Sequence, residues 1–309
     1  MNNRTIKLTE EDIRVYNNKK DLFGNLSLFK DKMMNNVIYC GDFFEFNDLI
    51  PTKSIDLIIM DPPYNLTKIY SGTTFNKMND ESYKEYMRNA IEKCLRVLKS
   101  NGTMYICGDW KSSFLQQQCI DEFEKNGQCY CINRITWARD KGRGSDKNWK
   151  NNIEDILMVV KDKNNYVFNA DKVKVKKTVL APYKDKEGNN KDWTTDDNGN
   201  NYRMTYASNI WNDITVPFWS MPENTDHPTQ KPEKLYAKLI LASSNEGDNI
   251  YEPFSGVGTA CVTAYKLHRN FIGIEKESEY WMLSQKRLEM AKDNKNIQGY
   301  EDGVFKDKK

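Results

Sequence analysis

Four consecutive residues, Asp61-Pro62-Pro63-Tyr64, join a carboxylate, a rigid turn and an aromatic ring directly after the apolar run Ile55-Asp56-Leu57-Ile58-Ile59-Met60. Such a run followed by two prolines predicts a buried strand that stops abruptly, because proline has no amide hydrogen to give to a sheet. Fixed φ at two successive positions holds the Asp61 carboxylate, the Pro62 carbonyl and the Tyr64 ring in one preset geometry. That geometry lies at the strand's carboxyl end, where open α/β sheets bind their ligands. Two acceptors beside an aromatic face suit a planar ring bearing an exocyclic NH2 group, and adenine is such a ring. As punctuation alone, Pro-Pro would merely end the strand with Tyr64 packed nearby, so a second motif has to agree.

That second motif is Asn249-Ile250-Tyr251-Glu252 followed by Pro253-Phe254-Ser255-Gly256-Val257-Gly258-Thr259, which predicts strand, glycine turn and helix. Glycines let the backbone approach a ligand closely, and the helix that follows offers unpaired amides to polar groups. Cys261 stands where a dinucleotide fingerprint has its third glycine, and no Gly-Lys-Ser/Thr follows, so NAD and ATP are both disfavoured. Glu275 ends the next predicted strand, placed to accept hydrogen bonds from both ribose hydroxyls of an adenosyl cofactor.

Taken in order, Asp61-Pro62-Pro63-Tyr64, His227-Pro228-Thr229-Gln230-Lys231-Pro232, Phe254 to Thr259, and Gly273-Ile274-Glu275 with Tyr280 resemble the β group of S-adenosylmethionine-dependent DNA amino-methyltransferases. The tetrapeptide is similar to the DPPY motif of N6-adenine and N4-cytosine methyltransferases. The match covers about residues 37–160 and 209–292. It implies an α/β, Rossmann-like class I methyltransferase fold, circularly permuted, with the catalytic motif first, an inserted target-recognition module in the middle and the cofactor loop last.

The resemblance further implies S-adenosyl-L-methionine as cofactor and Asp61, Pro62, Pro63 and Tyr64 as catalytic residues. Phe254, Ser255, Gly256, Gly258 and Thr259 would shape the cofactor loop, Glu275 would hold the ribose, and Asp42 would contact the cofactor's adenine. His227, Thr229 and Lys231 would lie beside the methionine moiety with Asp61, Lys231 facing its carboxylate; helix capping is the plainer role for that segment. Glu252 departs from the family, which usually has Asp before the Pro-Phe pair, and its longer side chain is expected to shift a backbone or methionine-amine contact.

The implied activity is site-specific methyl transfer to adenine N6 of a flipped base in double-stranded DNA, within restriction-modification. A cognate restriction endonuclease and a homodimer are the protein partners open to it. N4-cytosine methylation, where the family more often has Ser in place of Asp61, RNA N6-adenine methylation and a non-catalytic nucleic-acid-binding partner are the alternatives. Cytosine C5 chemistry is disfavoured because its thiolate nucleophile usually follows proline, and no Pro-Cys occurs.

The elements that must position these residues follow from periodicity. Val37 to Cys40 predicts a strand and Phe43 to Ile50 a short helix. Asn79-Asp80 caps a helix through Leu98 that should stop at Asn101-Gly102. Thr103 to Cys107, a helix around 111–125, and strands at about 129–137 and 153–160 continue an α/β order. Pro232 opens a helix to Ser243, and strands 249–252 and 271–275 alternate with helices 260–267 and 278–292. The expected divisions are an arm at 1–36, a catalytic half at 37–160, the target-recognition module at 161–226, a cofactor-binding half at 227–292 and a frayed tail at 293–309. Between strands, Arg139-Asp140-Lys141-Gly142-Arg143-Gly144-Ser145-Asp146-Lys147 predicts a mobile basic loop beside Trp149. Arg139, Lys141, Arg143, Lys147 and Trp149 are therefore expected at DNA.

Composition sets the bounds. With 309 residues, 39% hydrophobic and 29% charged, the chain is globular and able to bury a sizeable core. A net charge of +2 excludes a uniformly basic nucleic-acid binder, so DNA contacts must come from local patches. Seven scattered cysteines without a CxxC pair, and only two histidines, disfavour a metal site. The odd thiol count fits a reducing cytoplasm, and no apolar stretch approaches the ~18 residues of a membrane span.

Overall fold

A computed structural model describes residues 3–25, 35–180 and 183–306. Helix α1 (Glu10–Phe23) precedes strand β1 (Val37–Cys40) and a short α2 (Phe43–Phe46). Strand β2 (Ile55–Met60) leads into a small hairpin of β3 (Lys68–Tyr70) and β4 (Thr73–Phe75). Helix α3 (Asp80–Val97), β5 (Leu98–Gly108), α4 (Ser112–Lys125), β6 (Tyr130–Ser145) and β7 (Asn148–Val160) follow. The middle of the chain holds β8 (Val175–Thr178), β9 (Thr194–Thr195), β10 (Asn201–Thr205) and β11 (Ile210–Trp211). The last part contains α5 (Glu233–Ser243), β12 (Asn249–Glu252), α6 (Thr259–Lys266), β13 (Asn270–Glu275) and α7 (Ser278–Asp293), then β14 (Tyr300–Glu301) and β15 (Val304–Phe305).

Eight strands form one sheet in the order β1-β13-β12-β2-β5-β7-β6-β11. The run from β1 to β5 is parallel throughout, and β7 lies antiparallel between β5 and β6. Strands β13 and β12, late in sequence, sit between β1 and β2, which come early. This interleaving is the circularly permuted Rossmann-like class I arrangement, and it brings the carboxyl ends of β1, β2, β12 and β13 to one edge of the sheet.

Strand β2 shows why the sequence folds this way. Leu57 and Ile59 face a core shared with α5, α6 and α7, whereas Ile58 and Met60 face a core shared with α3 and α4. Both faces are covered, so a parallel central strand reads as an almost unbroken apolar run. Helix α3 begins where the Asn79 side chain accepts a hydrogen bond from the Ser82 amide at 2.8 Å, and it buries Tyr83, Met87, Ala90, Ile91, Cys94 and Leu95.

Several expectations are corrected. Asn101-Gly102 does not stop α3, which ends at Val97 with β5 following at once; instead the register of β5 against β2 shifts there. A Cβ on Gly102 would lie 2.9 Å from the Asp56 carbonyl, so the glycine permits the strands' close approach. The segment at 139–147 is not a loop but the outer part of a long β6–β7 hairpin whose register slips beyond Ala138. Residues 300–305 are not frayed: Phe305 is buried and pairs with Val175, which adds β14 and β15 to a small sheet with β8, β10 and β9. The described part of the amino-terminal arm is anchored. Thr9 and Asp12 form a reciprocal cap on α1, the Tyr16 hydroxyl donates to Glu289 at 2.6 Å, and the Arg4 amide donates to the Trp219 carbonyl at 2.6 Å.

Candidate active site

The shared edge of β1, β2, β12 and β13 opens on a cavity of about 360 Å³. Asp61, Pro62, Pro63 and Tyr64 leave β2 into it, Gly41 and Asp42 leave β1, and Pro253 to Thr259 leave β12; Glu275 closes β13. His227, Thr229 and Lys231 reach it from the segment ahead of α5. Every residue expected at the catalytic and cofactor positions except Gly258 lines this one cavity.

Gly258 instead builds the turn. Gly256 and Gly258 adopt φ of +51° and +70°, left-handed values that glycine takes without strain. A Cβ on Gly258 would stand 2.8 Å from Ile38 Cδ1 and 2.9 Å from Ser284 Cβ, so the loop packs directly on β1 and α7. The Ser255 amide donates to the Ile274 carbonyl at 2.9 Å and the Gly256 amide to the Glu275 carboxylate at 2.6 Å. Glu275 also accepts from the Glu277 amide at 2.7 Å. Burial outweighs these two bonds and pushes its carboxyl up to about 8.

Glu252, expected to shift a backbone or methionine-amine contact, is bound to backbone amides. Its two carboxylate oxygens accept the amides of Ala260 and Cys261 at 2.9 and 3.1 Å. The additional methylene is thus used to reach the first turn of α6, where unpaired amides need acceptors. Burial raises this carboxyl to about 7.

One end of the cavity is aromatic. Phe43 and Phe254 lie 4.8 Å apart by ring centroids, Phe44 and Tyr86 5.3 Å. Asp42 borders them, its side chain capping α2 through the Phe44 amide at 2.8 Å and paired with Lys276 at 3.0 Å. The β3–β4 hairpin crosses the cavity mouth; its Ser71 and Thr73 hydroxyls donate to Glu279 and Glu277 at the start of α7. Phe43, Phe44, Tyr70 and Tyr86 were not expected here. Only the Phe43-Phe44 pair next to Gly41-Asp42 gave any hint of them.

The opposite end is polar. The Asp61 carboxylate receives the Tyr64 hydroxyl at 2.7 Å on one oxygen and Lys231 Nζ at 2.7 Å on the other. The Pro63 carbonyl accepts the Tyr83 hydroxyl at 2.8 Å, which pins the proline turn to α3. Burial alone would lower the Lys231 ammonium, but the Asp61 and Glu154 carboxylates outweigh it and hold it charged, above the ordinary lysine range. Burial and the Asp61 carboxylate together raise the Tyr64 phenol, keeping it a donor. His227, half-buried and edge-on to Tyr280 at 4.4 Å, is depressed to about 3 by desolvation and by Lys231, so its ring is neutral.

At the expected DNA positions the outcome is divided. Trp149, 93% exposed, stands near the tip of the β6–β7 hairpin with Lys147, which connects the two strands. Arg139 turns inward and pairs with Glu154 at 2.9 Å. The side chains of Lys141 and Arg143 lie outside the described residues. Among the described residues no three His, Cys, Asp or Glu gather as metal ligands, and no helix is long and apolar enough to cross a membrane.

An adenosyl-methionine cofactor fits these residues. The Ser255 hydroxyl is buried on the cavity wall without a hydrogen-bond partner, and the aromatic end offers a slot for a purine beside the Asp42 acceptor.

Comparison with known proteins agrees with this geometry. The family model described as DNA methylase matches residues 55–286. The chain is 35% identical over 256 residues to the type II methyltransferase M.HpaI of Haemophilus parainfluenzae, covering 83% of this chain and 75% of that protein. It is also 35% identical over 256 residues to the DNA adenine methyltransferase YhdJ of Escherichia coli K12, covering 81% and 82%. In structure it is similar to the PvuII DNA methyltransferase (cytosine-N4-specific), with a TM-score of 0.62 at 17% identity over 85% of this chain and 92% of that one, a likeness of fold. An acceptor pair at the end of β2, a glycine turn at the end of β12 and these matches lead to one statement: the chain belongs to the N6/N4 DNA methylase family.

Proposed function

We propose that the protein is a site-specific DNA methyltransferase that transfers a methyl group from S-adenosyl-L-methionine to adenine N6 of a flipped base in double-stranded DNA, as the modifying partner of a restriction endonuclease. The observation that carries the reading is the opening of Asp61, the proline turn, the glycine loop and Glu275 into one cavity.

When bound, S-adenosylmethionine would supply an electrophilic sulfonium methyl. Phe43, Phe254 and Asp42 would hold the adenine of the cofactor, Glu275 its ribose, and Ser255 and the segment 227–231 its methionine end. The amine of a target adenine is a poor nucleophile because its lone pair is delocalised into the ring. Accepting one N–H on the Asp61 carboxylate and the other on the Pro62 carbonyl localises that lone pair on N6, and it does so more strongly as N6 gains positive charge. With both groups fixed by the strand end and the prolines, most of the remaining acceleration comes from alignment. The base must leave the duplex to reach them, and the Tyr64 ring, held by its hydroxyl on Asp61, offers a stacking face worth ~1–3 kcal/mol.

In this reading residues 37–160 and 227–292 form the catalytic and cofactor halves, and the segment at 161–226 selects the target sequence. The β6–β7 hairpin contacts DNA through Trp149 and Lys147.

Incubation with methyl-labelled S-adenosylmethionine and duplex DNA, followed by nucleoside analysis, tests the reading; label should appear in N6-methyladenine. Label in N4-methylcytosine, or in RNA alone, would refute it. Asp61→Ala should retain calorimetric cofactor affinity while methyl transfer falls by about 100-fold or more, and unchanged turnover would remove Asp61 from its role.

A further inference from the structure

At the polar end of the cavity Asp61 belongs to a compact charged cluster, in which Lys231 and Tyr64 line the cavity and Glu154 and Arg139 stand behind them. Lys231 Nζ is 2.7 Å from one Asp61 oxygen and 3.3 Å from Glu154 Oε2. The Tyr64 hydroxyl lies 2.7 Å from the other Asp61 oxygen and 3.1 Å from the same Glu154 oxygen. Arg139 occupies Glu154 Oε1 at 2.9 Å. Lys231 is 5% and Glu154 6% exposed, and Glu154 is not among the residues lining the cofactor cavity.

We infer that Glu154 is a positioning residue for methyl transfer: it holds Lys231 and Tyr64 at the angles that fix the plane of the Asp61 carboxylate. This rests on the methyl-transfer reading given above.

A carboxylate turns readily about its last bond and offers about four acceptor sites. Lys231 and Tyr64 each take one, on different oxygens, which leaves one site per oxygen for an incoming N–H. A buried ammonium with Asp61 as its sole counter-ion would slide to bridge both oxygens and occupy the sites the substrate needs. Glu154 prevents this by attracting the same ammonium from the other side. Its shared contact with the Tyr64 hydroxyl keeps that ring in register with the carboxylate. Arg139 balances the added negative charge, so two acids meet two bases, with only the Arg139 Nε–H of this group buried without a hydrogen-bond partner. Glu154 lies on β7 and Arg139 on β6, so the middle of the long hairpin is braced directly against the proline turn.

The test is Glu154→Gln, which keeps the shape and removes the charge. Single-turnover methylation at saturating DNA and cofactor should slow by about 10- to 100-fold, the scale of a small misalignment of reacting groups. Calorimetric affinity for S-adenosylmethionine and the KM for DNA should stay within about threefold, a split that a merely structural role would not produce. The double variant Arg139→Gln with Glu154→Gln removes one charge of each sign and guards against misfolding caused by imbalance; its rate should remain low. A Glu154→Gln rate within threefold of the unaltered protein would overturn the inference, as would a fall in cofactor affinity matching the fall in rate. Recovery in the charge-balanced double variant would reduce Glu154 to a counter-ion and overturn it equally. Failure of the unaltered protein to make N6-methyladenine would count against the proposed function, whereas normal methylation with an indifferent Glu154→Gln would count against this inference alone.

Discussion

Replacing Glu252 by alanine separates what the longer acid contributes to the cofactor loop from what it costs. In the folded chain its two oxygens accept the amides of Ala260 and Cys261, both fully buried, at 2.9 and 3.1 Å. Alanine leaves two buried N–H groups without acceptors, at ~1–3 kcal/mol each, or about 2–6 kcal/mol in all. Against this stands the cost of burying the carboxylate, seen in its rise from 4.5 to about 7. Over that interval the folded chain keeps a proton that the unfolded chain has released. Stability contributed by this group is therefore fully present below about pH 4.5 and declines as pH rises towards 7. At about 1.4 kcal/mol per pH unit the loss is roughly 3 kcal/mol. The alanine variant has no such group, and it also relieves the part of the Glu275 rise that comes from Glu252, which narrows the gap in the same direction. Urea unfolding from pH 5 to 8.5 should thus find Glu252→Ala several kcal/mol less stable at the acid end, with the gap narrowing by up to about 3 kcal/mol at the alkaline end. A gap independent of pH would refute the buried-carboxylate account, and no gap at pH 5 would refute the capping role.

Two further substitutions probe the ends of the site. Gly256→Val places a branched side chain at φ +51°, with its Cβ 3.2 Å from His227 Nε2. S-adenosylmethionine affinity should fall by about tenfold or more because the loop can no longer hold its left-handed turn, and calorimetry showing normal binding would exclude that. Trp149→Ala should weaken DNA binding by about fivefold or more, the lower end of what one aromatic stacking contact contributes, with cofactor affinity unchanged; equal DNA affinity in both proteins would take the hairpin tip out of the interface.

Much of the sheet was legible because each central strand announces itself twice. Ile55 to Met60 is apolar on both faces, as only a covered parallel strand requires, and a proline pair marks its end. Asn249 to Glu252 and Phe271 to Glu275 carry the same signal with a glycine turn between them. The errors fall where local chemistry has more than one solution. Asn-Gly commonly ends a helix, but at Asn101-Gly102 the pairing of Leu98 with Ile55 had already begun a strand, and the glycine served the close approach to Asp56. Glycines at 142 and 144 suggested a mobile loop, yet a hairpin tolerates them where its register slips. The cap made by Thr9 and Asp12 was visible in principle, since an acceptor three residues ahead of an acid is a helix-start pattern; the weak apolar periodicity behind it hid the helix.

The site divides in the same way. Its cofactor side is written in contiguous stretches, because a backbone turn needs glycines at fixed spacing and a strand end supplies its acid at a fixed register. The arrangement behind Asp61 has no such local syntax. Tyr64, Arg139, Glu154 and Lys231 come from three separated stretches of chain, and each taken singly has an ordinary explanation: a packed ring, a DNA-binding arginine, a strand acid, a cofactor-facing lysine. Their meeting depends on β7 inserting between β5 and β6, and on the segment at 227–231 passing across the end of β2. Periodicity predicts neither event. Lys231 shows the consequence most clearly. Its position in sequence pointed to the methionine carboxylate, but its ammonium is held between Asp61 and Glu154, at 2.7 and 3.3 Å. A buried cation already shared by two carboxylates has little attraction left for a third, so we propose that Lys231, which also lines the cofactor cavity, acts first on Asp61 and second on the methionine end.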